Sequence, residues 1–83
     1  MKHASHPDVV KRLRRAEGHL ASTIRMIEDG RPCPEVAQQL HAVIRALETA
    51  KRTFIHDHID HCLADGRDRA ELTAEFRAIA KYL

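Results

Sequence analysis

Aromatic side chains are scarce in these 83 residues: there is no Trp, and Phe54, Phe76 and Tyr82 are the whole set. That argues against a single-strand nucleic-acid binder, which stacks bases on aromatic platforms. Glycine and proline number three each, and none belongs to a Gly-rich phosphate loop. No nucleophile triad and no His-Glu-x-x-His motif is present, so no enzyme is expected. No apolar run is long enough to span a bilayer, and no signal-peptide pattern is seen. The expectation is therefore a cytoplasmic protein with no membrane partner. Cysteine occurs twice, and in a reducing compartment such thiols are metal ligands or reactive groups more often than a structural disulfide. Strand candidates, internal repeats and low-complexity segments are also missing.

What remains is helix. Val36, Leu40, Val43, Leu47, Ala50 and Phe54 recur at alternating steps of four and three, the pattern of an amphipathic helix with a seam made for another helix. Pro34 sits in its first turn, where a missing N–H is tolerated, and nothing breaks it before Gly66. Ahead of it, Ser5 as N-cap, Pro7 and Asp8 mark the start of a first helix. Val9, Leu13, Ala16, Leu20, Ile24 and Ile27 form its apolar stripe, and Gly30 suits the position just past its end near Asp29. After Gly66, Asp68 can cap a third helix, with Leu72, Phe76, Ile79 and Leu83 as its stripe. The fold class is all-α: a polar, flexible arm over residues 1–6, then one three-helix domain over residues 7–83. So short a chain can hardly bury three stripes alone, and an oligomer is expected.

Soft and borderline metal ligands cluster on the central helix. His58 and Cys62 stand four apart and share one helix face, while Cys33 opens the helix. An isolated cysteine is commonly a small buried hydrophobe, but a His–x3–Cys pair on the seam side has the donors that Cu(I), Zn(II), Ni(II) and Co(II) select. Cys33 and His58 are 25 residues apart, roughly 37 Å along a helix, so one chain cannot bring them to one ion. An antiparallel pairing of two copies would place Cys33 of one beside His58 and Cys62 of the other, and the seam calls for a partner in any case. His61 lies three after His58 and can face the same site, and the arm adds His3 and His6 as candidate donors. His56, His19 and His41 are read as surface or helix residues, while Asp57 and Asp60 are potential acceptors for imidazole N–H groups.

The formal charge of +2 hides an asymmetry. Residues 1–15 carry a balance of +4, and the rest of the chain −2. Lys11, Arg12, Arg14 and Arg15 would repel one another unless they meet phosphate, and Lys51 with Arg52 can extend the patch. Phosphate contacts to duplex DNA are the reading, although no helix-turn-helix spacing is evident.

Residues 12–20, Arg-Leu-Arg-Arg-Ala-Glu-Gly-His-Leu, together with Gln38-Gln39-Leu40 shortly after Cys33 and His58-x3-Cys62, resemble the CsoR/RcnR family of small helical repressors. That resemblance covers nearly the whole chain. It implies an antiparallel dimer that pairs into a tetramer, a G/C-rich operator bound by the apo-protein, and release by the sensed ligand. Cys33 of one chain with His58 and Cys62 of the other would then bind metal, and Arg12, Arg14, Arg15 and Arg52 would face DNA. Cys–His–Cys is the family's copper triad, yet Pro32 stands where copper sensors carry Tyr. Their acidic residue of the third helix falls here at Ala78, with Glu75 one turn earlier. The arm and residues 56–63 are similar to the nickel- and cobalt-resistance branch. Lys2 in place of proline argues against formaldehyde sensing, and His58 against persulfide sensing. The reading is a repressor released by Ni(II) or Co(II), with Cu(I) as the alternative ligand. Its rivals are a metal-buffering protein and a thiol redox sensor that bind no DNA.

Overall fold

The computed structural model describes residues 6–64, 66 and 68–83. Three helices follow in order: α1 His6–Glu28, α2 Cys33–Ala64 and α3 Arg69–Ala80. No described helix is long and apolar enough to cross a membrane. The expected N-cap Ser5 and the arm histidine His3 lie outside the described residues, whereas His6, assigned to the arm, is the first residue of α1.

Local chemistry explains each boundary. Gly30 has φ +73°, a conformation that costs an L-residue with a Cβ about 1–2 kcal/mol. Its N–H donates to the Ile27 carbonyl at 3.1 Å, and Arg31 N–H donates to the Met26 carbonyl at 3.0 Å. That pair of bonds is the Schellman closure of a helix end. Pro32 then offers its carbonyl to the N–H groups of Glu35 and Val36, which starts α2 after a turn of only a few residues. Gly66, at φ +69°, follows the end of α2. The Asp68 carboxylate accepts from Glu71 N–H at 2.8 Å and caps α3 as expected.

The short turn folds α1 back along α2. His19 meets Gln39 and His6 meets Phe54, a pairing in which one number rises as the other falls, so the two helices are antiparallel. Between them the core is a strict heptad of small residues. Val9, Ala16 and Thr23 from α1 and Val36, Val43 and Ala50 from α2 are buried, each seven from the next. Small side chains let the two backbones approach closely, and Thr23 fits because its hydroxyl donates to the His19 carbonyl at 2.9 Å.

Residues four further along each heptad behave differently. Leu13, Leu20 and Ile27 of α1 and Leu40, Leu47 and Phe54 of α2 are 38–57% exposed. The stripe read on α1 is thus divided. Val9 and Ala16 face α2, Thr23 replaces the expected apolar residue in the core, and the larger side chains stay outside. A two-helix hairpin can cover only one half of a four–three seam, because the other half is rotated away from its sole neighbour. α3 contributes no buried residue at all. It meets the last turns of α2 at Glu75, and Ile79, with Tyr82 just past the helix end, lines a crevice with Ile55 and His58.

Candidate metal centre

The final two turns of α2 and the middle of α3 build one polar cluster. His58 and Cys62 share a face of α2, and Cys62 Sγ lies 3.5 Å from His58 Nε2. The chain reverses at Gly66, so α3 returns along α2 and brings Glu75 to the same imidazole. Glu75 Oε2 is 2.9 Å from His58 Nε2, where an ionised carboxylate accepts the imidazole N–H. One donor atom from each residue fits within 4.8 Å of the others. Cys62 is buried, His58 is 24% exposed at its side chain and Glu75 41%. A cavity of about 510 Å³ opens beside them, walled by apolar residues that include Leu63, Leu72, Phe76 and Ile79.

A thiolate, an imidazole and a carboxylate converging on one point suit a borderline divalent ion such as Zn(II), Ni(II) or Co(II). Of the expected metal residues, the structure brings His58 and Cys62 together. Cys33 is exposed at the opposite end of α2, about 43 Å from Cys62 by helical rise, so within a protomer the two thiols do not meet. His61 is half-buried on α2 but outside the three-residue group. His6 stacks on Phe54, with ring centroids 5.1 Å apart and 12° between planes. Phe54 is one helical turn before His58, so the start of α1 lies close to the cluster. His3 lies outside the described residues. Glu75 was not among the expected ligands. Its signal in the sequence was an acid one turn away from the position that the family pattern marks.

The basic residues divide between two crevices. Arg12 and Arg15 line a small one with His19, Ala46 and Thr49, between α1 and α2. Arg12 also pairs with Asp8 across an exposed helical turn at 3.3 Å, a contact worth little in water. Lys11, Arg14 and Arg52 are exposed. Lys51 borders a second crevice with Phe54 and His58.

The molecule is a helical hairpin with a thiol–imidazole–carboxylate cluster at one end and cationic side chains along its first helix. The profile of the metal-sensitive transcriptional repressor family matches residues 5–82, and the chain belongs to that family. Its members are transcriptional repressors, not enzymes. The chain is 40% identical over 67 residues to the copper-sensing transcriptional repressor CsoR of Mycobacterium ulcerans (strain Agy99), covering 76% of this chain and 57% of that protein. It is also 40% identical over 53 residues to the copper-sensing transcriptional repressor RicR of Mycobacterium tuberculosis (strain ATCC 25618 / H37Rv), covering 64% and 55%. It therefore spans little more than half the length of these relatives. Among solved structures, the nickel-responsive transcriptional regulator InrS superposes with a TM-score of 0.84 at 33% identity, covering 100% of this chain and 98% of that one.

Proposed function

We propose that this chain is a cytoplasmic metal-responsive repressor. It holds operator DNA without metal and releases it on binding Ni(II) or Co(II), which turns on metal efflux genes. The observation that carries this reading is the donor cluster at the end of α2, on a helix whose Leu40, Leu47 and Phe54 stripe is left half-exposed. A second copy lying antiparallel covers that stripe and brings its Cys33 to His58 and Cys62, and two such dimers pair into a tetramer. Lys11, Arg12, Arg14, Arg15, Lys51 and Arg52 supply contacts to duplex phosphates. An ion joining two chains biases the packing at the helix ends and re-aims the basic α1 helices. Metal and DNA then oppose one another by a reciprocal coupling, commonly about 1–3 kcal/mol.

Ni(II) prefers four donors in a plane or six in an octahedron, so Cys33, His58 and Cys62 alone leave it short. His3, His6 and His61 are the imidazoles that can add to them. The whole-chain likeness to a nickel-responsive regulator supports this choice. Cu(I) is the second reading, favoured by the copper-sensing relatives and by a Cys–His–Cys triad that fits trigonal Cu(I). Parallel titrations with Ni(II), Co(II) and Cu(I), read by absorption and by release of a promoter duplex, separate the two. The expected result is that Ni(II) and Co(II) release DNA, and that His3→Ala weakens their effect far more than that of Cu(I). If a protein with both His3 and His6 changed to Ala responds to Ni(II) like the parent, the arm is not a ligand and Cu(I) moves ahead. If no duplex binds in a salt-dependent way, a metal buffer replaces the repressor.

A further inference from the structure

Glu75 is the member of the cluster that the ligand set above leaves unused. Its carboxylate is within hydrogen-bonding distance of the imidazole nitrogen that Cys62 also approaches, at 2.9 Å and 3.5 Å respectively. Bonds of about 2.0–2.3 Å place neighbouring donors of a four-coordinate ion roughly 2.9–3.8 Å apart. Both measured separations fall in that interval, and all three donor atoms fit within 4.8 Å. The three donors are thus gathered about one point. The carboxylate comes from α3, a helix with no buried residue, so apolar packing does little to fix where that helix lies.

We propose that Glu75 is itself a metal ligand, with its carboxylate oxygen bound to the same ion as His58 Nε2 and Cys62 Sγ. This rests on the metal-sensing reading above and deepens it. On binding, the ion replaces the proton between His58 and Glu75. The imidazole stays neutral with its hydrogen on Nδ1, its Nε2 lone pair faces the metal, and the Cys62 thiol gives its proton to solvent. With Cys33 of a second copy the set becomes two sulfurs, one nitrogen and one oxygen, which is four donors before any arm residue is counted. A hard carboxylate oxygen adds affinity for divalent Ni(II), Co(II) or Zn(II) and little for Cu(I), which prefers sulfur. Glu75 thereby selects the divalent class, and the ion ties α3 to α2.

The alternative is that Glu75 only accepts a hydrogen bond from His58 and orients the ring. Glu75→Gln separates the two, because the carboxamide keeps an acceptor oxygen but is a poor ligand, and the position is exposed enough to tolerate it. The experiment titrates Co(II) into the full apo-protein and into the Glu75→Gln and Cys62→Ala variants, followed by absorption. The parent is expected to show sulfur-to-cobalt charge transfer and the strong d–d bands of a four-coordinate ion. Cys62→Ala loses most of the charge transfer. Glu75→Gln keeps the charge transfer but changes the position and intensity of the d–d bands, which loss of a hydrogen-bonding partner outside the coordination sphere would leave in place, while Cu(I) affinity hardly moves. A Glu75→Gln spectrum superimposable on the parent's leaves the sensor reading standing and overturns the ligand role. Absence of sulfur charge transfer in the parent overturns both.

Discussion

The middle of the α1–α2 hairpin and the far end where α3 returns are built on opposite principles. In the middle, Val9, Ala16, Val36, Val43 and Ala50 are buried in heptad register. The polar group among them, the Thr23 hydroxyl, is satisfied within its own helix. At the far end α3 has no buried residue of its own, and beside Ile79 it brings to α2 a carboxylate on an imidazole next to a thiol. Apolar packing is insensitive to small molecules, whereas a polar cluster with little packing around it responds to whatever completes it.

The same substitution made in both regions gives the largest contrast. Val43→Asp places an unpaired charge in the hairpin core and should abolish cooperative thermal unfolding followed by circular dichroism. Phe76→Asp, at a position 51% exposed on α3, should leave the apo-protein's melting curve nearly unchanged. Equal damage from both would show that α3 is as much a part of the fold as α1.

Removing a donor should act in the reverse order. His58→Ala is expected to lower metal affinity more than about 100-fold, beyond the range typical of an outer partner, with little loss of helicity. Mixing it with Cys33→Ala chains should restore one site per heterodimer, as measured by bound metal per chain. A mixture that binds nothing would remove the cross-chain site.

A smaller effect is expected on the first helix. Arg14→Ala and Arg15→Ala should each reduce the magnitude of the salt slope of duplex binding by about one unit, with metal affinity unchanged in the absence of DNA. Slopes identical to the parent's would take α1 out of the interface. Smaller again, Gly30→Ala should destabilise the hairpin by about 1–2 kcal/mol through its left-handed backbone, since no neighbour lies within 4 Å of the added methyl. A melting temperature that does not fall would mean that the turn relaxes without cost.

Much of this was legible in the chain because it is local. Gly30 and Gly66 at positive φ, Asp68 as a cap and the His58–Cys62 face follow from single residues and from the helical repeat. The division of each stripe was not legible. A four–three pattern shows that a seam exists, but not which half faces the partner helix of the same chain. Thr23 was unreadable as a core residue for a related reason: its hydroxyl turns inward onto the backbone of its own helix, which no hydropathy pattern records.

Sequence by itself determined three helices, their ends, the pairing of imidazole and thiol on one face, and the impossibility of Cys33 joining them within one chain. All of these depend on the rise and rotation of a single helix. Only the tertiary structure decided that Glu75, and not the residue one turn later, meets His58. It also decided that His6 stacks on Phe54 beside that site, and that Leu40, Leu47 and Phe54 are left half-covered. Each of these depends on the angle and register at which one helix returns along another. Gly30 and Gly66 turn the chain with positive φ, but the angle and register of the returning helix are not contained in a one-dimensional pattern.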